Sequence, residues 1–112
     1  MHNETLKDAF DELFQYQAER PVIRKDGVEA LVRLLPVAQR DTGQSRVIGR
    51  FLLGLYNGPA HPFDLTELRR LDAGLFDDCI AVLRLDNSPE QEVHTYFPDG
   101  DAIWQDLRRA WA

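Results

Sequence analysis

Apolar residues recur every three or four positions along most of this chain, and nowhere do four or more apolar and polar residues alternate between hairpin-type turns. The pattern therefore predicts helices and no strands. From Asn3 to about Glu19, Leu6, Phe10, Leu13, Phe14 and Gln17 keep helical spacing with Ala9 beside them, while Glu4, Lys7, Asp8, Asp11 and Glu12 fill the other face. Asn3 is suited to cap this helix, and Arg20-Pro21 is expected to end it, because the residue before a proline is pushed out of the helical region. After an extended piece, Pro21 to Lys25, Asp26 and Glu29 have the spacing of a capping box. They open a second helix to about Leu35, with Val28, Leu31, Val32 and Leu35 as its buried stripe and Pro36 kinking or stopping it. Gln39 to Gln44 reads as the longest loop.

The third helix, about Arg46 to Tyr56, carries Val47, Ile48, Phe51, Leu52, Leu55 and Tyr56 on one broad side and Arg46, Arg50, Leu53 and Asn57 on the other. So wide an apolar arc predicts a central helix packed by several others, with Gly49 and Gly54 permitting close approach of neighbours. Asn57-Gly58-Pro59 is a helix stop. Asp64 and Glu67 open a short helix with Leu65, Leu68 and Leu71. Asp72 caps the next, about Ala73 to Leu85, expected to bury Leu75, Phe76, Cys79, Ile80, Val82 and Leu83. Ser88 and Pro89 are placed to start a short helix to about Phe97. After Pro98-Asp99-Gly100, a last helix from about Asp101 sets Ile103, Trp104, Leu107 and Trp111 on one face. The expected fold is all-α: a compact single-domain bundle of six or seven short helices around the central apolar helix.

The totals fit that reading. With 112 residues, 44% hydrophobic and 29% charged, the chain has the length and composition of one globular domain with one core. A single cysteine, Cys79, rules out an internal disulfide framework and a cysteine zinc cluster and makes the cytosol the default compartment. The N-terminus lacks an export pattern and no window approaches the ~18 apolar residues of a membrane span, so no membrane partner is expected. The net charge is −6, which argues against sequence-independent nucleic-acid binding by the whole surface. Yet Arg20, Arg24, Lys25, Arg33, Arg40, Arg46 and Arg50 stand against only Asp26, Glu29 and Asp41 between residues 20 and 50, and the acidic excess sits in the second half.

No motif for chemistry emerges. His61 and Asp64 have His-x-x-Asp spacing, but Asp64 is accounted for as a helix cap and two ligands are too few for zinc. His94 has Asp99 and Asp101 downstream; proton transfer there needs a substrate cleft. Asp99-Gly-Asp101 lacks the ligand ladder of a calcium loop. Cys79 sits on an apolar face beside Asp77 and Asp78, the opposite of a reactive thiolate's setting. No glycine-rich phosphate loop occurs. No catalytic, cofactor or metal residue is therefore assigned. Arg46 and Arg50, one helical turn apart with Asn57 extending their stripe, suit phosphates and base edges, but the gap before this helix is too long for a helix-turn-helix. Trp104 and Trp111 share a face, for the core or for a partner.

The block Arg50-Phe-Leu-Leu-Gly-Leu-Tyr-Asn-Gly58, continuing through Phe63-Asp-Leu-Thr-Glu-Leu68, Leu71-Asp and Asp78-Cys-Ile-Ala-Val-Leu-Arg-Leu-Asp86 to His94-Thr-Tyr-Phe-Pro-Asp-Gly100, resembles a family of small uncharacterised bacterial proteins carried on integrative conjugative elements and plasmids. The likeness covers about residues 47–104. It implies a cytoplasmic accessory protein of mobile DNA and transfers no catalytic residue. The expected function is a non-enzymatic protein-interaction module, an adaptor or regulator, whose contact residues are Arg46, Arg50, Tyr56, Asn57, His61 and Phe63. A DNA-associated factor using the basic 20–50 stretch stands second and a small hydrolase using His61 or His94 third. Homo-oligomerisation is left open.

Overall fold

The computed structural model describes residues 2–112, with side chains from Thr5 onward. All regular structure among them is helical, with no strand. Four α-helices form, α1 (His2–Ala38), α2 (Gly43–Tyr56), α3 (Ala73–Asp86) and α4 (Gly100–Trp111), with two 3₁₀ helices, Leu65–Arg70 and Val93–Tyr96, between them.

The largest departure from the sequence reading lies at Pro21. Instead of two helices joined by an extended piece, α1 runs unbroken for 37 residues with Pro21 and Pro36 inside it. Proline removes one backbone hydrogen bond and crowds the preceding turn, which costs about 3 kcal/mol in a helix interior. Tertiary packing offsets that cost. Arg20 donates from its guanidinium to the carbonyls of Leu85, at 3.3 Å, and Ser88, at the far end of α3, and α1 packs along α3 from there to its C-terminal half. Asp26 is accordingly mid-helix and caps nothing, and α1 continues past Pro36 to Ala38. Its buried residues are Gly27, Ala30, Leu31, Leu34, Leu35 and Ala38, whereas Val32 is exposed. Asn3 lies within α1, and its expected capping role falls outside the described side chains.

The loop after α1 is shorter than expected because α2 starts at Gly43. The Thr42 hydroxyl accepts from the Ser45 N–H at 3.0 Å, satisfying a donor that the first turn of a helix leaves unpaired. Val47, Ile48, Phe51 and Leu52 are buried, and so is Leu53, which the helical wheel places on the polar side. The reason is tertiary: the turn after α2 and the end of α4 fold over that side, bringing His61, Pro62 and Trp111 beside Leu53. Gly49 meets Trp111, and a Cβ there would run into the indole ring; a Cβ on Gly54 would stand 3.2 Å from the His61 carbonyl.

Asp64 and Asp72 cap as expected, accepting from Thr66 and Leu75 N–H groups at 2.9 Å. In α3 the fully buried residues are Cys79, Val82 and Leu85, while Phe76 and Leu83 stay more than a third exposed, because α1 covers only one side of the helix. Ser88 and Pro89 begin no helix; the chain stays irregular until Val93. Trp104 is buried, with its indole N–H donating to the Leu52 carbonyl at 3.2 Å. Trp111 donates to the Ala38 carbonyl at 2.8 Å, capping the C-terminus of α1. Both tryptophans are thus used inside the fold.

The long axis of the molecule is 56 Å, about the ~55 Å length of a 37-residue α-helix. Residues 5–19 are exposed throughout, so the first half of α1 stands clear of the helical body as an arm.

Candidate functional site

The six residues expected to contact a partner separate into different roles. Asn57 ends α2: its N–H donates to the Leu53 carbonyl at 2.9 Å and its side-chain oxygen accepts from Ala60 N–H at 3.2 Å, which folds the turn. Phe63 packs edge-on against Phe51, centroids 5.7 Å apart, and Tyr56 packs edge-on against His94 at 5.0 Å. These rings anchor the turn to the core. Arg50 and His61 share a cleft of about 170 Å³ with Leu53, Pro62 and Trp111, where the Arg50 guanidinium donates to the Trp111 carbonyl at 3.2 Å. Arg46, one turn earlier, is exposed with no ion pair or hydrogen bond among the described side chains.

His61 and His94 have different neighbours. Asp64 faces Thr66, whose hydroxyl and N–H hold its carboxyl below the usual carboxylate range. His94 Nε2 lies 3.4 Å from an Asp101 oxygen, but its ring is packed between Tyr56 and Trp104. Among the described residues no three His, Cys, Asp or Glu side chains converge as metal ligands. Cys79 is buried, and burial, aided by the Asp78 charge, pushes its thiol up to about 12.

Much of the basic 20–50 stretch is spent inside the fold. Arg20 and Arg24 both reach Glu90, at 3.6 and 3.0 Å, Arg24 also sits over the Tyr96 ring, and Arg33 forms a two-pronged pair with Asp78 at 2.9 Å. Arg50 caps α4. That leaves Lys25, Arg40 and Arg46 as the unpaired cations of the stretch. A wider cleft, about 920 Å³, opens where α2 and α3 begin, with Arg33, Arg40, Arg70, Asp72 and Asp78 on its walls. Its charges are largely matched: Arg33 is tied to Asp78 and Arg70 lies 3.5 Å from Glu67.

The feature that remains unsatisfied is the arm. Leu6, Phe10, Leu13, Phe14 and Tyr16 are between 38% and 65% exposed; Leu6, Phe10 and Leu13 line one side of α1, Phe14 and Tyr16 flank them, and Asp8, Asp11, Glu12 and Glu19 occupy the rest of the surface. The sequence reading found Leu6, Phe10, Leu13 and Phe14 on one face of an amphipathic helix, with Gln17 and without Tyr16, and named nothing for that face to pack on. The spacing alone does not reveal that α3 ends at the level of Arg20. Contiguous exposed apolar surface is a property that protein contact sites share.

No helix among the described residues is long and apolar enough to cross a membrane. No curated protein and no solved structure matches the chain. The model of one family matches residues 28–112, and the chain belongs to that family, a family of unknown function designated DUF7673.

Proposed function

We propose that this protein is a non-enzymatic protein-interaction module, an adaptor or regulator, whose docking element is the helical arm held out by the body. The observation that carries the reading is the exposed stripe Leu6, Phe10, Leu13, Phe14 and Tyr16 on a helix whose other half is clamped into the core. An isolated helix of fifteen or so residues is marginal in water, and continuity with the packed half of α1 keeps the arm helical in advance of binding. The stripe then offers anchors at the i, i+4, i+7 spacing that helix-in-groove recognition uses. Arg46, backed by Arg50 and His61, provides a second, polar contact surface on the body. The resemblance to proteins of integrative conjugative elements and plasmids supports a bacterial, cytoplasmic setting in which the partners belong to the element or its host.

The test is tagged capture from the native host after nuclease treatment, with wild type beside a Leu6→Ser, Phe10→Ser double variant. Proteins retained by wild type and lost with the double variant support the reading. An identical set with both removes the arm from it, and recovery that depends on intact nucleic acid replaces it with a DNA-associated role.

A further inference from the structure

Resting on that reading, we infer that the occupant of the arm's apolar stripe is the same stripe of a second copy, paired antiparallel. Leu6, Phe10, Leu13 and Gln17 follow the 4-3-4 spacing of a coiled-coil seam. When two such seams run antiparallel about a two-fold axis between Asp11 and Glu12, Phe10 meets the second copy's Leu13, and Leu6 meets its Gln17. Every position of the seam has a counterpart within the arm. Phe14 and Tyr16 flank the seam and widen it.

Charge and area agree with this occupant. Residues 5–19 carry Lys7 against Asp8, Asp11, Glu12 and Glu19, so the arm is acidic. All four carboxylates lie outside the seam of Leu6, Phe10, Leu13 and Gln17, with Asp11 beside Phe14 and Glu12 and Glu19 beside Tyr16, so two seams can meet without bringing the carboxylates face to face. The same acidic face disfavours a lipid surface, for which interfacial helices present lysine and arginine. Five half-exposed side chains at about 100 Å² each give roughly 500 Å² per copy and about 1,000 Å² for the pair, the lower bound for a specific interface. The bodies lie outside the seam. They begin at Arg20, and the antiparallel arrangement puts one at each end of a two-helix rod about 22 Å long, at 1.5 Å per residue.

The experiment is light scattering coupled to size exclusion, with sedimentation, on the purified full chain from about 1 to 500 μM. Wild type is expected to pass from monomer to dimer across this range. Leu13→Glu, which puts a carboxylate against the opposing Phe10, should weaken association by at least about 100-fold while leaving the urea midpoint of the body unchanged. Gln17→Leu, which gives the opposing Leu6 an apolar partner, should tighten it by about tenfold. Raising salt from 50 to 500 mM should leave the dimer intact or strengthen it, since the like charges are screened. A wild-type monomer throughout the range overturns the inference. If host capture is nevertheless arm-dependent, the docking reading stands with a different partner; if it is not, both fail. A dimer that ignores Leu13→Glu, or that dissociates with salt, is built elsewhere and overturns the inference as well.

Discussion

Gly49 offers a test of the packing at the α2–α4 junction in which two effects of opposite sign compete. Alanine in the middle of an α-helix is favoured over glycine by about 1 kcal/mol, and Gly49 has no positive φ that would forbid it. A Cβ at this position, however, would occupy the place of the Trp111 indole. Either the end of α4 shifts, or the ring swings away and gives up its 2.8 Å bond to the Ala38 carbonyl. Overpacking costs about 1–3 kcal/mol and a lost hydrogen bond about 1 kcal/mol, so Gly49→Ala should be net destabilising by about 1–2 kcal/mol. Trp111→Ala alone, which removes the bond and a half-buried ring, should cost about 2–3 kcal/mol. In that background the obstruction is gone, and adding Gly49→Ala should stabilise by up to about 1 kcal/mol. Urea unfolding followed by far-UV circular dichroism on the four proteins completes a double-mutant cycle, with an expected coupling of about 2 kcal/mol. If Gly49→Ala raises stability in the wild-type background, the indole does not occupy that place and the account of Trp111 as a clasp is wrong.

Other expectations follow from single groups. Asp86 closes α3, where burial, aided by Glu92, raises its carboxyl and the helix dipole opposes its charge. Asp86→Asn should therefore stabilise at pH 7, within about 1 kcal/mol. The advantage should shrink as the pH falls through the raised folded value towards the ordinary ~3.9 and vanish below it; no gain at pH 7 in thermal melts would refute this. Cys79, with its thiol near 12, should resist a thiol reagent at pH 8 until the protein is unfolded. Because the unfolded thiol ionises near 8.5, stability should decline as pH rises above that value, and Cys79→Ala should blunt the decline. Arg46→Glu should leave the melting temperature unchanged, whereas Arg50→Glu, which loses the bond to the Trp111 carbonyl, should lower it; equal effects would place the two arginines in the same environment.

Where structure depends on neighbours in sequence, the chain announces it. The caps at Asp64 and Asp72, the stop at Asn57 and the face shared by Trp104 and Leu107 all involve groups a few residues apart. Pro21 was misleading for the same reason. The rule that a proline ends a helix is local, while what holds α1 through it is Arg20 bonded to carbonyls 65 and 68 residues away. Leu53 looks polar-facing on a wheel because the elements covering it come from the 57–63 turn and from α4. The arginines of the 20–50 stretch count as a basic cluster until Glu90 and Asp78 are brought to them. In the same way the spacing from Leu6 to Gln17 shows an apolar face but not that α3 ends before reaching it.

The bond between Trp111 and Ala38 spans 73 positions, that between Arg20 and Ser88 spans 68, and the Arg33–Asp78 pair spans 45. A polypeptide emerging from the ribosome presents α1 before α2 and α3, and its apolar residues Leu31, Leu34 and Leu35 then have only part of their packing until α3 follows α2. Long sequence separation also slows closure relative to helical proteins built from local contacts. The nascent chain therefore passes through a stage in which the apolar residues of both halves of α1 are uncovered, and the arrival first of α2 and then of residues 78–111 distinguishes the half that becomes interior from the half that stays available.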